Sequence, residues 1–73
     1  MSDQLRRRSV TIAGHRTSVS LEDPFWDQLK NIASARSVSV AQVVAEVDKG
    51  RGGNLSSALR VFVLQEVLKQ QAA

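Results

Sequence analysis

The fold is decided by residues 16–26, Arg16-Thr17-Ser18-Val19-Ser20-Leu21-Glu22-Asp23-Pro24-Phe25-Trp26. The first half alternates. Thr17, Val19 and Leu21 fall on one side of an extended chain and Arg16, Ser18 and Ser20 on the other, with the β-branched content that suits a half-buried strand. At Asp23-Pro24 the period changes: aspartate can cap free N–H groups, and proline's fixed φ suits the first helical position. Phe25, Leu29, Ile32, Ala33 and the stem of Arg36 then recur at helical spacing, which predicts a helix over 24–36.

Toward the N-terminus, Val10 and Ile12 alternate with Ser9, Thr11 and Ala13, but the apolar parity flips across Gly14. Two solutions stay open. Gly14 marks a bulge in one continuous strand, or Gly14 and His15 form a two-residue turn that pairs Ile12 with Thr17 and Val10 with Val19 on one face. His15 reads as a turn residue in preference to a ligand. Residues 1–8 are polar, end in Arg6-Arg7-Arg8 and show no periodicity, so they are expected to be a flexible basic arm before a single domain over 9–73.

Toward the C-terminus, Ser39 with Gln42 makes a capping box, and Val40, Val43, Val44 and Val47 follow at i, i+3, i+4, i+7. A second helix is predicted over about 40–49, ended by Gly50 and the loop Gly50-Arg51-Gly52-Gly53. Asn54 can cap a third helix through about Gln70. Its apolar residues, among them Leu55, Leu59, Phe62, Val63, Leu64, Val67 and Leu68, spread beyond one stripe, because Val61 and Leu64 lie on a different side from Leu59 and Phe62. Such a helix needs more than one neighbour to cover it, and a second chain is the expected source.

Composition supports that expectation. At 73 residues with no cysteine and one histidine, the chain is one domain that buries only about 60% of its unfolded surface. It has neither disulfides nor a histidine-and-thiolate metal site to compensate. The net charge of +3 is unevenly spread: residues 1–20 hold four arginines against one aspartate, whereas 21–49 are net acidic. The longest unbroken apolar run, Val61 to Leu64, is far below membrane-spanning length, and the arginine-bearing N-terminus lacks the apolar stretch of a signal peptide, so a cytoplasmic protein is expected. No enzyme is expected either. Cysteine and tyrosine are absent, no paired carboxylates flank a nucleophile, and Gly50-Arg51-Gly52-Gly53 lacks the preceding strand and following Lys-Ser/Thr of a phosphate-binding loop. No cofactor or metal is indicated.

The strand, the two short helices and the core that looks incomplete in a monomer resemble the methionine-repressor/Arc-like ribbon-helix-helix DNA-binding superfamily. The resemblance is carried by Arg16 to Glu22, Pro24-Phe25-Trp26, Leu29 and Ser37-Val38-Ser39. More closely, Ser9 to Trp26 with Asn54 to Arg60 are similar to a subfamily of small uncharacterised bacterial members. It implies a mainly α fold with a short β-ribbon, an intertwined homodimer, here with an additional C-terminal helix. In that superfamily two chains each give one strand to an antiparallel ribbon that enters the major groove of double-stranded DNA.

On that resemblance Arg16, Ser18 and Ser20 would read base edges, with Thr11 taking the place of Ser20 if residues 9–13 form a hairpin. Ser37 and Ser39 at the start of the second helix would face a phosphate; independently of the resemblance, the basic run Arg6, Arg7 and Arg8 reads as phosphate contacts of a flexible arm or as a solubilising tail. Val19, Leu21, Phe25, Trp26, Leu29, Leu59 and Phe62 would build the dimer core. The implied function is a transcriptional repressor, a homodimer with possible higher order on DNA. The alternatives are an antitoxin, disfavoured by the mere Gln71-Ala72-Ala73 after the last helix, and a dimerisation module that does not touch DNA.

Overall fold

A hairpin resolves the parity flip at Gly14. A computed structural model of the chain, which describes residues 4–50 and 53–72, places two strands before three helices: β1 Leu5–Ile12, β2 His15–Glu22, α1 Asp23–Ala35, α2 Val40–Gly50 and α3 Leu55–Ala72. The turn is Ala13-Gly14, one residue earlier than expected. Both residues have positive φ, 51° and 82°, as the two central residues of a type I′ turn require. Glycine takes the second of these positions without strain, whereas a turn at Gly14-His15 would force a bulky side chain into that region.

The strands pair Ile12 with His15, Val10 with Thr17, Arg8 with Val19 and Arg6 with Leu21. The register therefore differs by two residues from the expected one, and a two-residue shift preserves the faces. Val10 and Ile12 still share a side with Val19 and Leu21. β1 and β2 close as a hairpin within the chain, because the type I′ turn twists in the sense that antiparallel strands need.

Leu5 to Arg8 are the first half of β1, so the expected arm over 1–8 is corrected there; its first three residues lie outside the described residues. Asp23 also differs from expectation. It is the first helical residue, the cap position falls on Glu22, and no side chain caps α1. Its carboxylate is engaged by arginines of β1 instead. The other caps form as read: Ser39 Oγ accepts the Gln42 N–H at 3.1 Å, and Asn54 Oδ1 accepts the Ser57 N–H at 3.1 Å. Between α1 and α2, Ser37 adopts φ 58°. The Val38 N–H reaches back to the Ala33 carbonyl at 3.0 Å, the closing bond of a left-handed helix terminus.

The core is Val10, Val19, Leu21, Leu29, Ile32, Ala33, Val43, Val44, Leu59 and Val63, drawn from all five elements. Phe25, Trp26 and Phe62 pack at its margin. Val19, Leu21, Leu29 and Leu59 are fully buried within the chain, and Val10 of the first strand joins them in the core. On α3, Val61, Leu64 and Leu68 remain 54%, 55% and 53% exposed.

Candidate functional site

Directly opposed residues of an antiparallel pair share a face. The register therefore sorts the hairpin into two surfaces. The inner one carries Arg6, Arg8, Val10 and Ile12 with Leu21, Val19, Thr17 and His15. The outer one carries Leu5, Arg7, Ser9 and Thr11 with Glu22, Ser20, Ser18 and Arg16. Arg7, Ser9, Thr11, Arg16 and Ser18 are exposed or partly so, and Ser20 is half-buried. Between the Arg7–Ser20 and Thr11–Arg16 pairs the outer face holds two guanidiniums and four hydroxyls, with no carboxylate among them. Such a surface donates many hydrogen bonds and accepts some.

Ser20 sits lower because its backbone N–H donates to Ser56 Oγ at 2.9 Å, which ties β2 to the first turn of α3. A second tie lies two residues on, where Arg60 Nε meets Glu22 Oε1 at 3.1 Å. The Glu22 carboxyl is held below its ordinary value first by its own backbone N–H and then by Arg60. The outer face therefore rests on a strand fixed at its C-terminal end by α3.

The inner arginines have another fate. Arg8 packs its guanidinium over the Trp26 ring, 4.8 Å from the centroid, and bonds the Asp23 carboxylate. Arg6 Nε lies 3.3 Å from the same carboxylate. Arg8 is only 21% exposed, and its Nε is buried without an acceptor among the described residues. The three arginines expected to act together are thus divided, with Arg7 alone on the outer face. Arg8 is engaged within the fold by Asp23 and Trp26.

Ser37 and Ser39 lie at the start of α2, Ser39 exposed, and the Ser39 hydroxyl is already occupied by its own cap. The opposite end of α2 approaches the hairpin turn: Asp48 and Leu55 line one pocket with Ile12, Ala13 and His15 to Ser18. At 1.5 Å per residue, Ser39 lies roughly 13 Å further along the helix from that pocket. The structure does not bring the α2 start together with the hairpin tip.

Sequence reasoning missed Arg7 as a residue of the outer face, missed Ser9 and Ser56, and weighed Thr11 only as a substitute. Residues 5–12 alternate only once Arg6 and Arg8 are placed inward, and the partners that hold them there, Asp23 and Trp26, lie in α1. No described helix is long and apolar enough to cross a membrane. Among the described residues no group of His, Cys, Asp or Glu could hold a metal ion.

No curated protein matches the sequence. Among solved structures, an uncharacterized protein from Bordetella pertussis Tohama I is similar at 33% identity and a TM-score of 0.77, over 97% of this chain. The chain spans 62% of the length of that protein. A family model described as a ribbon-helix-helix domain matches residues 5–67. That match takes in the hairpin, α1, α2 and most of α3, and by it the chain belongs to the ribbon-helix-helix domain family.

Proposed function

We propose that the protein is a sequence-specific DNA-binding homodimer that represses transcription by occupying its operator, with the outer face of the hairpin lying in the major groove. Members of the family are generally non-enzymatic, DNA-binding regulators and typically act as dimers. The observation that carries the reading for this chain is the exposure of Arg16 and Ser18 on a ribbon face that holds no carboxylate between the Arg7–Ser20 and Thr11–Arg16 pairs, while Val10, Val19 and Leu21 on the opposite side join the core. A two-stranded ribbon fits the major groove, where arginine bidentate to guanine is the commonest specific contact. Serine suits several bases because it donates and accepts. Arg6, still 57% exposed next to Asp23, and the α2 start at Ser37 and Ser39, away from the hairpin tip, serve phosphates outside that contact.

A second copy covers the remaining apolar stripe of α3. Val61, Leu64 and Leu68 recur at helical spacing and are each more than half exposed, which is costly for a domain this small unless association buries them. Sedimentation of the free protein at micromolar concentration is expected to give a dimer, and a folded monomer would overturn this part. Arg16→Ala is expected to weaken the selected site by about 1–3 kcal/mol while leaving random DNA and the melting temperature unchanged. Unaltered affinity for the selected site would remove the hairpin face from the groove. Failure of the wild type to bind duplex DNA at all would leave the dimerisation module standing.

A further inference from the structure

Within the chain β1 pairs with β2 along eight residues each. The outer face of this hairpin holds a second arginine besides Arg16. Arg7 opposes Ser20 and Arg16 opposes Thr11, so the two guanidiniums stand on different strands, four residue positions apart along the ribbon. At 3.3–3.4 Å per residue, with one interstrand spacing across, their Cα atoms lie roughly 14 Å apart. Duplex DNA rises about 3.4 Å per base pair, so that span corresponds to about four base pairs. Between them sits the Ser9–Ser18 pair, flanked by Thr11 and Ser20.

We infer that one hairpin is a complete reading head, in which Arg7 and Arg16 each read a guanine at two G·C pairs about four base pairs apart and the hydroxyls of both strands face the base pairs between them. This rests on the proposed DNA-binding function. It moves Arg7 from the phosphates to the bases and adds Ser9 and Thr11 to the reading set. The reason is aim: Arg7 lies on a paired strand, fixed in direction by its neighbours Arg6 and Arg8, which are anchored on Asp23 and Trp26. A rigid strand can present a guanidinium fork to a base edge, whereas a mobile arm cannot.

The test is selection of bound duplexes from a randomised library with the full chain, its Arg7→Lys and Arg16→Lys variants, and the Ser9→Ala/Thr11→Val double variant. Lysine keeps the charge but loses the bidentate fork, so it preserves a phosphate contact and abolishes a guanine preference. The wild type is expected to enrich two G·C pairs about four apart in each half-site. Arg7→Lys is expected to lose one preference and Arg16→Lys the other, each with roughly a ten- to hundredfold drop on the wild-type site. The double variant is expected to relax the positions between them. Melting temperatures close to wild type would show that the variants fold. If Arg7→Lys keeps the wild-type preferences while Arg16→Lys loses one, Arg7 is a phosphate contact and the inference fails with the DNA-binding function intact. A wild-type protein that enriches no sequence would overturn both.

Discussion

Arg7 and Arg8 are neighbours of one residue type on one strand, yet they belong to different parts of the molecule. Arg8 faces inward, stacks on Trp26, bonds Asp23 and is mostly buried. Arg7 faces outward with the hydroxyl row and is exposed. Nothing in the side chain itself separates them. The difference comes from strand parity, set by the turn at Ala13-Gly14, together with an aspartate and an aromatic ring on the first turn of α1. The inner face is thus where the hairpin is built into the fold, and the outer face is where it is free to meet something else.

That division is most severely tested in the core. Leu21→Ala removes a fully buried side chain and is expected to cost about 2–5 kcal/mol, enough to unfold much of a domain this size. Ser18→Ala, on the outer face of the same strand, is expected to change stability by less than about 0.5 kcal/mol. Chemical denaturation of both variants would measure the contrast, and comparable losses would show that the outer face is also structural.

A finer contrast lies within the arginine run. Arg8→Ala removes a half-desolvated cation–π contact and an ion pair, at an expected cost of about 1–2 kcal/mol. Arg7→Ala is expected to leave the melting temperature where it is. Equal losses would mean that β1 is not ordered in the register described.

The turn itself is the next test. Gly14 has open space where a Cβ would stand, but its φ of +82° makes Gly14→Ala unfavourable by about 1–2 kcal/mol. Ala13→Asn, which creates the Asn-Gly pair favoured in type I′ turns, is expected to stabilise by about a few tenths of a kcal/mol. A rise in melting temperature for Gly14→Ala would exclude the left-handed turn and restore the continuous bulged strand.

The smallest effect concerns pH. Glu66 is held below its ordinary value by Lys69 first and by Arg36 as well, and Glu22 is likewise lowered. A lowered carboxyl stabilises the fold fully above its free-chain value of about 4.3, and that contribution is lost as the pH falls through the lower folded value. Melting temperature should therefore hold from neutral pH to about 5 and decline below it. Glu66→Gln should make that decline shallower. An identical decline in the variant would show that the α3 ion pairs with Arg36 and Lys69 contribute nothing.

Much of this was legible from residue order. The alternation of Thr17, Val19 and Leu21 with Arg16, Ser18 and Ser20 assigned both faces of β2 correctly, and Ser39 and Asn54 marked the starts of α2 and α3, because strand parity and helix capping are local rules that act within a few residues. Residues 5–8 were not legible. Two of their alternating inner positions are arginines, which break an apolar pattern, and their burial depends on Asp23 and Trp26, far along the chain in the next element but one.

The boundary between the two kinds of knowledge follows range. Local spacing was enough for the order of elements, the capped helices, the apolar excess on α3 and the polar face of β2, since each depends on periodicity and a few neighbouring side chains. Only the folded chain decided that residues 5–12 fold back on β2 as a hairpin, that Asp23 serves arginines of β1 instead of a helix end, and that Arg7 and Arg8 part company. Each of these outcomes is a competition between partners distant in sequence, and their relative positions exist only once the hairpin has closed and α1 has packed beneath it.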